Sequence, residues 1–378
     1  MNEVFVCPGC GGPLTYTSGS TVKCPFCGNS VIVPKDLKTK PLTYTGLQTS
    51  PHTPAWKIIV PMVVLTCVLA GVIAVVAVIQ LKSKPRTVTV SKPSTPLVVT
   101  PIPVNKSVTT SSLATVSMKF GSKGIGPGMF NDAREIAIDG SGKIYVGDYS
   151  GGRVQIFDQS GTFIKQWMVD TKAALLGLAA DRQGKVYIIQ GGAIYRYDGA
   201  TGVTHDHLDA DDNNSFNDVK VTADDQLITA TNGVRDDIIR YNEAGKPNLT
   251  IHKAISSQTD SSELDSKVAV DGLGNIYVLG VFNNAVFKFN RSGKFLNKFG
   301  GRGDQPGQLS APLSIAVDGQ GRVYVGDIHG IQVFDTEGRF IDMIPVEGTP
   351  FGIVFNDKNE MFVIAREQVV KYTINNKQ

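Results

Sequence analysis

The sequence predicts a mainly β protein: a six-bladed β-propeller preceded by a small four-cysteine module and one transmembrane α-helix. Three observations support this fold class. A pair of short apolar strands recurs after residue 112, an uncharged apolar run occupies Ile58 to Ile79, and four cysteines form two C-x2-C pairs near the N-terminus. The predicted segments are the cysteine module at 1–36, a linker at 37–57, the membrane helix at 58–80, a stalk at 81–112 and the propeller at 113–378.

The net charge of +3 conceals a split between the two parts of the chain. Residues 1–112 carry ten Lys and Arg against two acids, which gives +8, whereas residues 113–378 carry 27 Lys and Arg against 32 acids, which gives −5. Affinity for a phosphate backbone comes from Lys and Arg that displace counterions. The acidic part is therefore a poor candidate for nucleic-acid binding.

The cysteine module has the spacing of a tetrahedral metal site. Two CPxCG knuckles, Cys7-x2-Cys10 and Cys24-x2-Cys27, are separated by thirteen residues. Four thiolates select zinc or iron and leave no open coordination position, so the metal would be structural and not catalytic. The pattern over residues 3–34 resembles a zinc ribbon, which implies one structural Zn²⁺ on these four cysteines. A rubredoxin-like iron site and pairing as disulfides are the less favoured alternatives.

The apolar run predicts a single-pass membrane helix. Its 22 residues would span about 33 Å as a helix, enough to cross a hydrocarbon core of about 30 Å. Three Lys precede the run and four Lys or Arg follow it closely, so the positive-inside rule does not decide the orientation. Thiols poised for metal suit a reducing compartment, and a propeller without cysteine tolerates an oxidising one. We therefore predict a cell-membrane protein with its cysteine module in the cytoplasm and its propeller outside, held off the surface by the Pro-rich stalk.

The repeat is marked by an Asp or a substitute for it between the first two strands of each copy. The strong copies read like Val-Ala-Val-Asp271-Gly-Leu-Gly-Asn-Ile-Tyr-Val, and a second hairpin follows most of them. The markers are Asp139, Asp181, Thr222, Asp271, Asp318 and Asn356, spaced 42, 41, 49, 47 and 38 residues apart. Together with the phrases KFGSKGIGPGMF from Lys119 and KFGGRGDQPGQL from Lys298, the copies resemble NHL repeats over residues 113–378. Two hairpins in most copies predict four strands per blade.

The ends of the repeat domain predict how the ring closes. The last copy lacks a fourth strand, and Leu113 to Phe120 has the pattern of an orphan fourth strand. We expect this segment to complete the sixth blade beside the C-terminal strand, which leaves no open edge.

Positions that enter the innermost strands are where catalytic groups would gather. NHL-type propellers resemble lyases and lactonases whose sites hold metal ligands around the central channel, but this ring contains no His and only two carboxylates, Glu135 and Asp218. We therefore predict no catalytic residues and no enzyme. The predicted ring consists of Arg134, Leu176, Asn217, Ser266, Leu313 and Phe351, followed by Glu135, Gly177, Asp218, Lys267, Ser314 and Gly352.

A weak calcium motif follows the second copy. Asp209, Asp211 and Asn213 have the spacing of an EF-hand loop, but Asn214 stands where Gly is expected and Lys220 where Glu is expected. A solvated loop is the alternative.

These features predict a membrane-anchored binding or sensing protein whose propeller face recognises a protein or glycan ligand. One alternative is a propeller lyase or hydrolase outside the cytoplasm. A second is a protein like the TRIM–NHL ubiquitin ligases that bind RNA, which is disfavoured because four cysteines form one site and not a two-zinc RING, and because the propeller is acidic.

Overall fold

The computed structural model describes residues 4–6, 13–15, 21–23, 30–33, 111–210, 214–233 and 235–375. These residues form strands, turns and connecting loops, and none of them lies in a helix. No helix within the described ranges is long and apolar enough to cross a membrane. The predicted span at 58–80 and the stalk up to residue 110 lie outside them.

Two short antiparallel hairpins lie near the N-terminus. In the first, β1 (Val4–Val6) pairs with β2 (Pro13–Thr15), and in the second, β3 (Thr21–Lys23) pairs with β4 (Ser30–Ile32). Each hairpin brackets one C-x2-C pair in sequence. Cys7, Cys10, Cys24 and Cys27 themselves lie outside the described residues, so the zinc site stays a prediction.

Residues 114–374 form six four-stranded antiparallel sheets, which confirms the predicted six-bladed propeller. The innermost strands of successive blades contact one another and close a ring around a central channel. Blade 1 comprises β6 (Ala133–Ile138), β7 (Ile144–Asp148), β8 (Arg153–Phe157) and β9 (Phe163–Met168). Blade 2 comprises β10 (Gly177–Ala180), β11 (Lys185–Gln190), β12 (Ala193–Asp198) and β13 (Thr204–Leu208). Blade 3 comprises β14 (Asn214–Val221), β15 (Leu227–Gly233), β16 (Ile238–Tyr241) and β17 (Pro247–Ile251). Blade 4 comprises β18 (Ser266–Val270), β19 (Ile276–Gly280), β20 (Ala285–Phe289) and β21 (Phe295–Gly300). Blade 5 comprises β22 (Ser314–Val317), β23 (Val323–Asp327), β24 (Gly330–Phe334) and β25 (Phe340–Ile344). Blade 6 comprises β26 (Gly352–Phe355), β27 (Met361–Ile364), β28 (Val369–Ile374) and β5 (Ala114–Phe120).

The ring closes between the two ends of the repeat domain. Strand β5 pairs antiparallel with β28, from Ala114 opposite Ile374 to Phe120 opposite Val369. This confirms that the segment before the first repeat supplies the outer strand of blade 6. The backbone groups on that side of β28 are thereby paired, so the blade has the same four strands as the other five.

A buried Asp–Tyr hydrogen bond holds the first two strands of four blades together. In blade 2, Oδ1 of Asp181 accepts the backbone N–H groups of Gln183 and Lys185, while Oδ2 accepts the Tyr187 hydroxyl at 3.1 Å. The same arrangement recurs in blades 1, 4 and 5, with hydroxyl–carboxylate distances of 2.9, 3.2 and 3.1 Å. Burial, reinforced by the neighbouring carboxylate, raises the pKa of each tyrosine, so the hydroxyl stays a donor. The equivalent pairs are Asp139–Tyr145, Asp271–Tyr277 and Asp318–Tyr324.

Blades 3 and 6 replace both members of this pair. Blade 3 has Thr222 and Ile228 at these positions, and blade 6 has Asn356 and Phe362. The turn is still capped, since Gln226 donates to Thr222 Oγ1 at 3.0 Å and the backbone N–H of Glu360 donates to Asn356 Oδ1 at 2.9 Å. Among the described blades, a buried tyrosine hydroxyl is therefore present at this position only where a carboxylate accepts from it.

Blade 2 offers a direct test of the pair. Tyr187→Phe should lower the free energy of unfolding by about 1–3 kcal/mol, because Asp181 Oδ2 is left buried without its donor. The double variant Asp181→Asn with Tyr187→Phe reproduces the blade 6 pairing, so its loss should be smaller than the sum of the two single losses. Denaturant unfolding of all three variants measures this.

Tyr195→Phe is the control, because this half-buried tyrosine in the same blade stacks on His207 and should change the free energy of unfolding by less than about 0.5 kcal/mol. Strict additivity of the two single losses would show that the pair is not coupled.

Candidate functional site

The antiparallel strand order gives the propeller two distinct faces. One face, which we call the mouth face, carries two kinds of connection. These run from each outer strand to the next blade and from the second to the third strand of each blade. Turns between the first and second and between the third and fourth strands lie on the opposite face, which we call the turn face. The Asp–Tyr pairs lie on the turn face, and the mouth face carries the longer and more varied loops.

Two innermost strands carry a β-bulge where they enter the channel. The register of β6 with β7 shifts between Ala133 and Glu135, and that of β14 with β15 shifts between Phe216 and Asp218. No such shift is found in the innermost strands of the other four blades. A bulge commonly re-aims a side chain beside a functional site. Both predicted ring carboxylates, Glu135 and Asp218, directly follow these bulges.

A cluster of charged side chains lies in the channel. Asp218 accepts the Lys220 ammonium at 2.8 Å through Oδ1 and the backbone N–H of Val268 at 2.8 Å through Oδ2. Lys267 lies 3.5 Å from Asp265, which also accepts the side-chain amide of Asn217 at 2.6 Å. The hydrogen bonds of Asp218 and Asn217 join blade 3 to blade 4, so they hold the charged side chains of the cluster in place.

Within this cluster, Glu135 is the group whose protonation state changes near neutral pH. Burial raises its pKa to about 7, against the opposing effect of Lys267 and Lys220. Burial also disfavours the charged form of Lys267, but Asp265, Asp218 and Glu135 together outweigh it and raise the pKa of that ammonium. At neutral pH the channel therefore holds a cationic lysine next to a carboxyl group that readily gains or loses a proton.

A stack of alternating rings and guanidinium groups lies at the mouth between blades 1 and 6. The Arg134 guanidinium lies 3.8 Å from the Tyr149 ring centroid and 5.2 Å from that of Phe351. Arg366 covers Phe351 at 4.9 Å. Asp132 binds Arg134 at 2.7 Å and lies 3.7 Å from Arg366. We call Tyr149, Arg134, Phe351 and Arg366 the mouth stack.

The turn face contains a larger cavity of about 440 Å³ over the other end of the channel. It is lined by the first turns of blades 1, 2, 3 and 6, and Lys220 lines both this cavity and the narrow channel cavity of about 20 Å³. The larger volume is within the range of small-molecule sites, whereas the narrow one has room on the order of one water molecule.

The structure brings together much of the ring predicted from the sequence and adds residues that were missed. The narrow cavity is lined by seven of its members, Glu135, Asp218, Lys267, Leu313, Ser314, Phe351 and Gly352. Lys220 was missed, although its position two residues after Asp218 on a strand places it on the same side. Tyr149, Asp265 and Arg366 were also missed, because they lie in loops or turns whose course the repeat does not specify.

The metal predictions are not tested by the structure. Asp209 is exposed, with its carboxylate 3.4 Å from His207, and Asp211 and Asn213 lie outside the described residues. Within the described part of the chain, no three His, Cys, Asp or Glu side chains are grouped so that they could hold a metal ion.

Comparison with known proteins identifies the fold. No family model matches the chain, and no curated protein matches it. A gluconolactonase from Xanthomonas campestris superposes with a TM-score of 0.53 at 17% identity, covering 69% of this chain and 99% of that one. A streptogramin B lyase superposes with a TM-score of 0.50 at 12% identity, covering 70% and 98%. Similarity at this level shows the propeller fold alone. Both proteins are described as enzymes, so the likeness gives no support to the prediction that this chain is not one.

The raised pKa of Glu135 predicts a specific pH dependence of stability. Its pKa rises from 4.5 to about 7 on folding, so the unfolded chain ionises more easily. The stabilising contribution is fully present below pH 4.5 and is lost as the pH rises through 7. Glu135→Gln should therefore raise the melting temperature relative to wild type at pH 8, by a difference that shrinks as the pH falls towards 4.5.

Melting curves across this pH range measure that difference. Glu347→Gln is the matched control, because its hydrogen bond and ion pair with Lys119 lower the pKa of Glu347, and its removal should not stabilise the protein at pH 8. A difference between Glu135→Gln and wild type that is constant with pH would contradict the shift.

Proposed function

We propose that this chain is a membrane-anchored binding or sensing protein whose mouth face recognises a protein or glycan ligand. The supporting observation is that loops of that face, which also carries the charged mouth stack, expose apolar side chains. They belong to the loops of blades 1, 4 and 5, and exposed apolar groups on a rigid scaffold mark interaction surfaces. These residues are Ile125, Met129, Leu264, Phe282 and Ile328, with exposed fractions of 53, 41, 56, 62 and 58%.

Rigid loops support a recognition role. In the connection before blade 1, Gln155 accepts the backbone N–H of Gly128 at 2.8 Å and donates to the Met129 carbonyl at 2.6 Å. Gln332 accepts in the same way from Gly307 before blade 5, at 2.9 Å. Loops fixed in this way lose little conformational entropy when they bind, which favours affinity.

The rest of the proposed architecture follows from the sequence. The four N-terminal cysteines would hold one structural Zn²⁺, and residues 58–80 would anchor the chain in the cell membrane. We propose that the ribbon is cytoplasmic and that the propeller lies outside. The two hairpins support the ribbon, since each C-x2-C pair lies between two paired strands.

A binding screen tests the role of the mouth face. The full-length chain, purified in detergent, would be applied to peptide and glycan arrays, and each hit would be retested with Phe282→Ala and with Leu273→Ala. Leu273 is a matched control, because it is 79% exposed but belongs to a turn on the opposite face. We expect hits that Phe282→Ala weakens several-fold and Leu273→Ala leaves unchanged. The reverse result would move the site to the turn face.

Acid–base catalysis in the channel is a second candidate function. The observation that favours it is a carboxyl group with a pKa of about 7, Glu135, beside the cationic Lys267, since a general base works best when its pKa lies near the operating pH. The matched propellers are described as a gluconolactonase and a streptogramin B lyase, so lactone hydrolysis and lyase chemistry are the reactions to assay first.

The pH profile of turnover tests this candidate. If Glu135 is the base, kcat/KM for a sugar lactone or a streptogramin B substrate should fall below pH 7, and Glu135→Gln should lower it by at least about 100-fold. Glu347→Gln should retain activity. Turnover that survives in Glu135→Gln, or a chain that converts neither substrate class, would rule out this role.

A further inference from the structure

We propose that the mouth stack binds a carboxylate side chain of an acidic peptide segment. This inference rests on the proposed binding function and specifies its ligand. The site consists of Arg134 and Arg366, which lie over the rings of Tyr149 and Phe351, with one carboxylate, Asp132, near both.

The mouth stack and Asp132 together carry two positive charges and one negative charge, so one more anion would balance them. Asp132 uses both oxygens on Arg134, at 3.2 Å to Nε and 2.7 Å to Nη2. Its approach to Arg366 is 3.7 Å, too long for a hydrogen bond. Two guanidinium groups thus share one carboxylate, so a unit of positive charge remains uncompensated within the stack.

Neighbouring acids do not supply the missing anion. Glu367 pairs with Lys123 at 3.2 Å and Glu347 pairs with Lys119 at 2.6 Å. Deeper in the channel, Asp265 and Asp218 pair with lysines of the channel cluster. These four carboxylates are therefore already paired with lysines, and burial disfavours the charged form of Glu135, the carboxyl group next to Arg134 in sequence.

Existing contacts restrain Arg134 at its side chain and Arg366 at its backbone before a ligand arrives. The Arg134 guanidinium lies against both rings and binds Asp132 through Nε and Nη2, and Nη1 has no hydrogen-bond partner among the described residues. Arg366 has a left-handed backbone with φ of 57°, and its carbonyl accepts the Ala133 N–H at 3.0 Å. A strained residue of this kind persists where its surroundings fix it, often at a ligand site. The remaining N–H groups of the two guanidinium groups are donors of the kind that binds carboxylates.

The stack favours a peptide over a glycan. Sugars are usually bound by open aromatic faces, but guanidinium groups cover Tyr149 and Phe351 here. The groups left open are N–H donors of arginine, with exposed apolar residues such as Ile125 and Met129 on the neighbouring loop. Charged carboxylates interspersed with apolar side chains are typical of acidic peptide segments, which we therefore assign as the ligand.

Fluorescence anisotropy with the full-length chain tests this assignment. The probe is a short labelled peptide of alternating Glu and Leu, compared with the same peptide carrying Gln for Glu and with a labelled oligogalacturonate. The variants are Arg134→Gln, Arg366→Gln and Arg366→Lys. Arg302→Gln is the control, since it removes the same charge from an exposed loop position on the same face before blade 5. Melting curves check that each variant is folded.

We expect the acidic peptide to bind at least about tenfold more tightly than its Gln counterpart. Arg134→Gln and Arg366→Gln should each raise the Kd about tenfold, which corresponds to the loss of one charge-assisted hydrogen bond. Arg366→Lys should remain several-fold weaker than wild type because Lys lacks the planar fork. Arg302→Gln should change the Kd less than about twofold. If Arg134→Gln does not fold, the more exposed Arg366 carries the test.

Three results would overturn the assignment. These are equal affinity for the acidic and Gln peptides, equal losses for Arg302→Gln and Arg366→Gln, and binding of the oligogalacturonate in place of the peptide. The last result would leave the binding function intact with a glycan ligand. In the array screen, a fourth result would also overturn it: hits lost with Phe282→Ala but not with Arg366→Gln would show that the mouth face binds its ligand without the stack.

Discussion

The buried hydrogen bond between an Asp and the tyrosine six residues later is the interaction on which the rest of the propeller depends. In four blades one carboxylate caps the first turn and also accepts the tyrosine hydroxyl, so it fixes the innermost strand against the second strand. The innermost strands are the ones that contact one another around the channel. Blades 3 and 6 lose both partners together, because either one alone would leave a buried polar group unsatisfied.

A ring fixed at its turn face can tolerate irregular backbone at its mouth face. The two bulges lie in blades 1 and 3, at the entrance of the channel, and each directly precedes a channel carboxylate. Asp218 is neutralised by Lys220 and by a backbone N–H of the next blade, whereas the described residues provide no ion pair for Glu135. Burial raises the pKa of Glu135 to about 7, and the charges of Lys267 and Lys220 oppose this rise without cancelling it.

Closure of the ring also assembles the mouth stack. Arg134 and Tyr149 belong to blade 1, and Phe351 and Arg366 belong to blade 6, so more than two hundred residues separate the two halves in sequence. Pairing of β5 with β28 completes blade 6, and the Ala133 N–H then binds the Arg366 carbonyl across the junction. The same junction that closes the ring therefore places two arginines and two rings side by side.

The sequence by itself determined the number of blades, the strand that closes the ring and the two channel carboxylates. The blades recur every 38 to 49 residues in the sequence, so an unpaired strand and departures from the repeat can be recognised by comparing the copies. The tertiary structure alone decided that Lys220 shares the channel with Glu135, and that Arg366 lies over Phe351. These neighbours come from different blades and from turns outside the repeat. Their distances depend on how six sheets pack around one axis, which no single copy of the repeat encodes.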